Sequence, residues 1–261
     1  MKNSIKIIDW NICLNGDVLR KIDFLNEIIN DDLPTIIVLE EVTLDSYEVI
    51  KVSFDSFNIQ YSLNFRPKGK HEGKNRELGI CILYSNHFKH SESKVIGRLP
   101  FPERTLHTTL ILENREINIV GFHSLTGCDY KKTKTAQFLS LADYIEENSI
   151  DFICFDANEP KVDYGDVYKN EYFKQLWNTD IGARTFFEIM DKQGLKDSYI
   201  PVDRNIEPLA VSHIVKGRKT PRRYDYIYCK KENLIIETKY LYEESILAGS
   251  DHALITSVQE I

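Results

Sequence analysis

Short apolar runs alternate along this chain with stretches whose apolar positions recur every three or four residues, the spacing of one helical face. Ile5–Asp9 reads as a first strand, and Val18–Ile29 places Leu19, Ile22, Leu25, Ile28 and Ile29 at helical spacing. Asp31-Asp32-Leu33-Pro34 stops that helix, and Ile36–Leu39 has the unbroken apolar character of a buried strand. This opening β-α-β unit predicts a layered α/β protein. Asn58–Leu63, Leu78–Tyr84, Leu106–Leu112 and Glu116–Phe122 then read as antiparallel strands, the last two joined at a Glu113-Asn114-Arg115 turn. A long helix follows with Phe138, Leu141, Ala142 and Ile145 on one face, then a strand at Asp151–Phe155 and a helix around Arg184–Gln193. Strands near Tyr224–Cys229, Leu234–Tyr240 and Ala253–Val258 close the pattern. No repeat and no Pro-, Gly- or Ser-rich linker interrupts it, so residues 1–261 are expected to form one domain.

Polar residues collect where these strands end. The first strand runs into Trp10-Asn11, Ile36–Leu39 into Glu40-Glu41, and Ile117–Phe122 into His123. Phe152–Phe155 meets Asp156-Ala157-Asn158, Asp225 interrupts an apolar strand, and Ser250-Asp251-His252 precedes the last one. Each has an ordinary explanation: Asp and Asn form turns, Glu40-Glu41 suits a helix N-terminus, and Asp225 has Arg222 and Arg223 beside it. His123 alone reads as a satisfied buried histidine. Six such ends together point to a shared crevice, since strand termini hold side chains rigidly at the rim of a sheet. Carboxylates and amides are hard oxygen donors of the kind Mg²⁺ takes with water and phosphate. Imidazoles polarise phosphoryl oxygens or move protons near neutral pH. The set suits hydrolysis of a phosphate ester.

Composition narrows the picture without changing it. Thirty-three Lys and Arg against 40 Asp and Glu give a formal charge of −7, with 42% hydrophobic residues. That is ordinary for a globular protein. Five scattered cysteines (13, 81, 128, 154 and 229) form no Cys-x-x-Cys pair, so neither a disulfide framework nor a structural zinc site is expected. No apolar run is long enough to cross a membrane, and the first residues lack the pattern of a signal peptide. A cytoplasmic location is expected.

At the strand-end residues the chain resembles the endonuclease/exonuclease/phosphatase (DNase I-like) superfamily, over nearly its whole length and with the motifs in family order. Trp10-Asn11 is similar to the first motif, Leu39-Glu40-Glu41 to Leu-Gln-Glu, and Phe155-Asp156-Ala157-Asn158 to Gly-Asp-x-Asn. Arg223-Tyr224-Asp225-Tyr226-Ile227 resembles the Arg-x-Asp-Tyr-Ile strand, and Ser250-Asp251-His252 matches Ser-Asp-His. The resemblance implies a four-layer α/β sandwich, two packed, mostly antiparallel mixed sheets flanked by helices. It implies Glu41, Asp251 and Asn11 as the metal group for Mg²⁺, with Mn²⁺ an alternative. His252 would act on the phosphate, held by Asp225; Asp156 would position or deprotonate water, and Asn158 would bind phosphate. His123, in Gly121-Phe122-His123-Ser124, would contact a non-bridging oxygen or help protonate the leaving group. Three positions depart from the pattern: Glu40 for Gln, Phe155 for Gly, and Cys13 where repair enzymes carry Asp.

Charge distribution bears on the substrate. Arg66–Arg76, Tyr130–Lys134 and His213–Tyr224 hold thirteen Lys or Arg and one acid, Glu72, a net of +12 that leaves −19 on the remainder. Basic segments on an acidic body suggest a surface for a polyanion. Arg218, Lys219, Arg222 and Arg223 are expected to bind it, since they lead into Asp225. A nuclease acting on DNA is the first expectation. A small-molecule or lipid-headgroup phosphodiesterase or phosphatase, of inositol phosphate or sphingomyelin type, is the second.

Overall fold

Strand β1 (Ser4–Asn11) sends Ile5 and Ile7 to one face and Ile8 and Trp10 to the other, and both faces are buried. Strand β2 (Thr35–Val42) does the same with Ile36 and Val38 against Ile37 and Leu39. Two-sided burial requires a layer on each side of the sheet. The computed structural model, which describes residues 4–13, 16–29, 32–66, 76–174, 180–201, 203 and 206–261, supplies both layers.

Between β1 and β2 runs α1 (Val18–Ile28), capped by the Asp17 side chain on the Leu19 amide; β1 and β2 pair in parallel, as the β-α-β pattern predicts. Helix α2 (Leu44–Ser53) follows, its start fixed by reciprocal Thr43 and Ser46 hydrogen bonds and not by Glu40-Glu41. Next come β3 (Asn58–Tyr61), β4 (Gly79–Tyr84), β5 (Phe88–Lys94), β6 (Thr105–Leu112) and β7 (Arg115–His123). The short α3 (Gly127–Tyr130) and long α4 (Lys132–Glu147) lead to β8 (Phe152–Asp156), parallel to β7. The remainder is α5 (Asp180–Lys192), β9 (Leu195–Asp197), β10 (His213–Val215), β11 (Thr220–Arg222), β12 (Asp225–Lys230), β13 (Leu234–Leu241), α6 (Tyr242–Ala248) and β14 (Leu254–Glu260).

Two six-stranded mixed sheets result, ordered β13-β14-β1-β2-β4-β3 and β5-β6-β7-β8-β12-β9, with β10 and β11 as a separate hairpin. Ile5, Ile7, Ile36, Val38, Ile80 and Ile82 of the first sheet meet Leu106, Ile117, Ile119, Phe152, Cys154 and Ile227 of the second. The outer faces carry helices. Ile22, Leu25 and Ile50 cover Ile8, Trp10, Ile37 and Leu39, while Phe138, Leu141, Phe186 and Phe187 cover Val120, Phe122, Ile153 and Phe155. This is the expected four-layer α/β sandwich. The sheets touch closely at Gly121, where an added Cβ would lie 2.6 Å from Ile80 Cγ2 and 2.8 Å from Val38 Cγ1.

Sequence periodicity did not announce α2, β5, β9, β10, β11 or α6. β5 is an edge strand with one buried residue, and α2 buries only Ile50, so neither carries a clear apolar stripe. Phe155, where the family pattern has Gly, fills an aromatic cluster with Phe186, Phe187, Tyr226 and Tyr228. No helix among the described residues is long and apolar enough to cross a membrane.

Candidate active site

Side chains alternate along a strand, so the residues that share a face with the inter-sheet core can be counted off. In β8 these are Phe152, Cys154 and Asp156; in β12, Asp225, Ile227 and Cys229. In β7, Ile117, Ile119 and Gly121 lead to His123; in β1, Ile5 and Ile7 lead to Asp9 and Asn11; in β2, Ile36 and Val38 lead to Glu40. At one end of the sandwich the inner face therefore changes from apolar to polar on five strands. Register aligns the polar positions: His123 lies opposite Asp156, Asp156 opposite Asp225, and Asn11 opposite Glu40. The segment before β14 is tied to the same end, since Ser250 Oγ donates to the Asn11 carbonyl (2.7 Å) and Trp10 Nε1 to the His252 carbonyl (3.1 Å).

His252 Nδ1 lies 3.0 Å from both Asp225 oxygens and 3.9 Å from Asp156 Oδ2. Burial alone would lower its pKa, but the Asp225 and Asp156 carboxylates raise it to about 10. Asp156, buried to 1% exposure, accepts from the Asn158 amide (2.8 Å), Asn158 Nδ2 (3.3 Å) and Asn11 Nδ2 (3.1 Å). Burial and the Asp225 charge push it up to about 7 despite the opposing His252 charge and these donors. His123 faces both sides of the cleft, its Nε2 3.6 Å from Glu41 Oε1 and 3.7 Å from Asp156 Oδ2. Burial, then the Arg104 and His252 charges, hold it well below the usual imidazole range, so it is neutral. Its Nδ1 accepts from an Arg104 guanidinium nitrogen at 2.9 Å, which leaves the hydrogen on Nε2 and makes proton donation to a leaving group unfavourable for this ring.

Glu41 arrives by an irregularity. Alternation alone would turn it away from Glu40 toward the helices. Between Leu39 and Val42, however, the β2–β4 pairing slips by one residue, and Glu41 adopts φ 55°. This bulge aims the Glu41 carboxylate at His123. Asp251 sits on the rim, held to about 2 by its Lys216 hydrogen bond and the His252 charge, which outweigh partial burial; Lys216 Nζ is 2.9 Å away. Asn11 Oδ1 accepts from the Cys13 amide at 2.9 Å. Glu41 and Asp251, both partly exposed, and the Asn11 amide are oxygen donors of the kind a hard divalent cation takes. Two side-chain groups with nitrogen lie close enough to hold a metal ion: Asp156, Asp225 and His252, and His213, Asp251 and His252.

Several residues of the basic segments are absorbed by the fold, while Lys131 and Lys132 are exposed. The first lies mostly outside the described residues, and its two ends, Arg66 and Arg76, both pair with the buried Glu103. Lys134 is buried against Glu159 (3.1 Å). Arg223 does not face substrate: it is 2% exposed, ion-paired with Asp163 and Asp197, and stacked on Tyr226. Its two acids lie far away in sequence, which is why the basic run concealed this role. Arg222 pairs with Glu207 at 3.5 Å. Arg218 and Lys219 are exposed at the β10–β11 turn, as a surface contact would require.

Arg104 and His213 were not foreseen. Arg104 ends a 3₁₀ turn and gave no motif signal; His213 precedes the basic run and looked like part of it. Two buried acids, Asp9 and Glu40, stand on the inner face with their carboxyls against each other and near the charges of Asp156 and Asp225. Burial, joined by the Asp225 charge, raises both well above the usual carboxylate value, the Asp9 charge adding to the rise of Glu40 and the Glu40 hydrogen bond opposing that of Asp9.

This architecture is the DNase I-like fold of endonuclease/exonuclease/phosphatase proteins. Solved structures similar to it include an endonuclease/exonuclease/phosphatase family protein from Bacteroides thetaiotaomicron, at 14% identity and TM-score 0.64, covering 100% of this chain and 99% of that one. The human Nocturnin catalytic domain with bound sulfate is 19% identical, with TM-score 0.67 and coverage of 98% and 93%. D. rerio TDP2 complexed with a single-strand DNA product is 12% identical, with TM-score 0.68 and coverage of 99% of both chains. No protein-family model and no curated protein matches the chain.

Proposed function

We propose that this protein is a divalent-metal-dependent phosphodiester hydrolase acting on nucleic acid, DNA in the first place. One observation carries the reading: His252, fixed at Nδ1 by Asp225, stands beside Asp156 and His123 at the end of the sandwich where Glu41 and Asp251 also emerge. Glu41, Asp251 and Asn11 would hold Mg²⁺, or Mn²⁺. Bound there, the cation neutralises charge on the phosphate and acidifies water.

The chain's own groups divide the remaining work. With Nδ1–H given to Asp225, His252 presents Nε2; raised to about 10, it is protonated at neutral pH and donates to a phosphate oxygen. Asp156, at about 7, accepts the proton of the attacking water, and its N–H contacts from Asn158 and Asn11 fix its orientation. His123 donates from Nε2 to a non-bridging oxygen, the neutral ring being held there by Arg104. Asn158, whose φ of 48° turns its side chain back toward Asp156, supports the phosphate side. A DNA product bound to TDP2 on the same fold supports a polynucleotide substrate.

The commitment of Arg66, Arg76, Lys134, Arg222 and Arg223 to ion pairs within the chain favours a second reading, a small-molecule phosphodiesterase or phosphatase. Purified protein assayed on DNA, RNA, phospholipid and inositol phosphates with Mg²⁺ or Mn²⁺ separates the two. DNA cleavage abolished by EDTA, and lowered about 10²–10⁴-fold by His252→Ala, is the expected result. Full activity in that variant would refute the mechanism, and turnover of only the small esters would transfer the substrate.

A further inference from the structure

His213 has no part in the chemistry above, yet it is placed against the centre of it. Its ring stacks on His252 with centroids 4.4 Å apart and planes 30° from parallel, and its Nδ1 lies 2.9 Å from the Asp251 carbonyl oxygen. That hydrogen bond puts the ring hydrogen on Nδ1 and leaves the Nε2 lone pair available. On His252 the Asp225 carboxylate occupies Nδ1 in the same way, so an ion would bind at Nε2 by displacing to solvent the proton that this nitrogen carries at neutral pH. Two stacked imidazoles, each anchored through one nitrogen by an oxygen acceptor, stand next to Asp251, and the other nitrogen of each is the one left to ligate. Ligating histidines in metalloproteins are typically oriented by such an anchor. One ligand atom from each of His213, Asp251 and His252 falls within 4.8 Å of the others.

We propose that His213, Asp251 and His252 form a second cation site, selective for a nitrogen-preferring divalent ion such as Zn²⁺, and that filling it switches the hydrolytic centre off. Two imidazoles and one carboxylate suit Zn²⁺ and its first-row neighbours, whereas Mg²⁺ prefers oxygen ligands throughout. The Glu41, Asp251 and Asn11 group is of the opposite kind, so the two sites sort metals by chemistry while sharing Asp251. Occupation takes the Nε2 of His252 away from the phosphate and draws Asp251 from the oxygen-rich group. Lys216, bound to Asp251 at 2.9 Å on the exposed rim, competes with the ion for that carboxylate. The metal-binding half of the proposal is independent of the proposed function; the inhibitory half rests on it.

Calorimetric titration of Zn²⁺ in excess Mg²⁺, with Co²⁺ absorption as a second readout, tests binding without any substrate. One Zn²⁺ should bind to the wild type, about 10–100-fold more weakly to His213→Asn, and no more weakly to Glu41→Ala, which removes a ligand of the competing Mg²⁺ only. Lys216→Ala, which removes a competitor and no ligand, should tighten it and guards against a folding defect in the histidine variant. Equal affinity in wild type and His213→Asn, or weaker binding in Lys216→Ala, would overturn the site. In the activity arm, Zn²⁺ should inhibit Mg²⁺-dependent hydrolysis of bis-p-nitrophenyl phosphate in the wild type and markedly less in His213→Asn. Binding lost in His213→Asn with inhibition unchanged would overturn the switch alone. A wild type inert on every ester while Zn²⁺ still binds would refute the hydrolase reading and leave the site standing.

Discussion

Glu40 and Glu41 are neighbours in sequence with opposite environments. Glu40 is fully buried facing Asp9, while the left-handed backbone of Glu41 swings its carboxylate to the cleft. The sequence identified the pair as chemistry-bearing, and strand alternation sends the two side chains apart. What it could not supply was the one-residue slip against β4 that recovers Glu41 for the site, because a bulge is a property of the pairing. Glu40 has a folded-state pKa above its unfolded value of about 4.3. Its contribution to stability is thus complete below that value and is lost as pH rises through the folded one. Glu40→Gln supplies the same shape without an ionisable proton. It should flatten the decline in stability above about pH 5 and add about 1 kcal/mol at alkaline pH, roughly 2–4 °C in Tm. Thermal melts across pH would decide it; a variant whose melting temperature falls as steeply as the wild type's would show that Glu40 is not the titrating acid.

The hairpin of β10 and β11 is the element that sequence reading served least well. Its strands have three residues each, too short for a period-two pattern, and it lay inside what looked like a basic loop. Folding sorts that loop into separate tasks: His213 against His252, Lys216 on Asp251, Arg222 on Glu207, and Arg223 into the interior. Within this hairpin, Arg218 and Lys219 at the exposed turn remain placed to meet a long anion. Strands β1, β2, β7, β8 and β12 were legible because each is buried on both faces and ends abruptly in polar residues. R218E with K219E should raise KM for polynucleotide by roughly tenfold, the scale of one or two lost phosphate contacts. KM for bis-p-nitrophenyl phosphate should stay within about twofold, since this small ester does not reach the turn. Parallel kinetics on both substrates provide the comparison, and equal rises in KM would remove the hairpin from substrate binding.

Across the molecule, each sheet contributes what the other lacks. Asn11, Glu41 and the segment leading into β14 belong to the first sheet, and His123, Asp156 and Asp225 to the second. Gly121 lets the layers approach, because any side chain there meets the β-branched Ile80 and Val38. Gly121→Ala should cost about 1–3 kcal/mol in denaturant unfolding by overpacking, and should lower kcat by shifting His123 two residues along the strand. A neutral substitution on both counts would mean the layers yield without strain. The inner-face residues beneath the cleft thus set the alignment of its two halves as machinists' shims set a pair of jaws. Whatever displaces one layer along the other, whether heat, pressure or a methyl group, would blunt catalysis while each sheet still held its own hydrogen bonds.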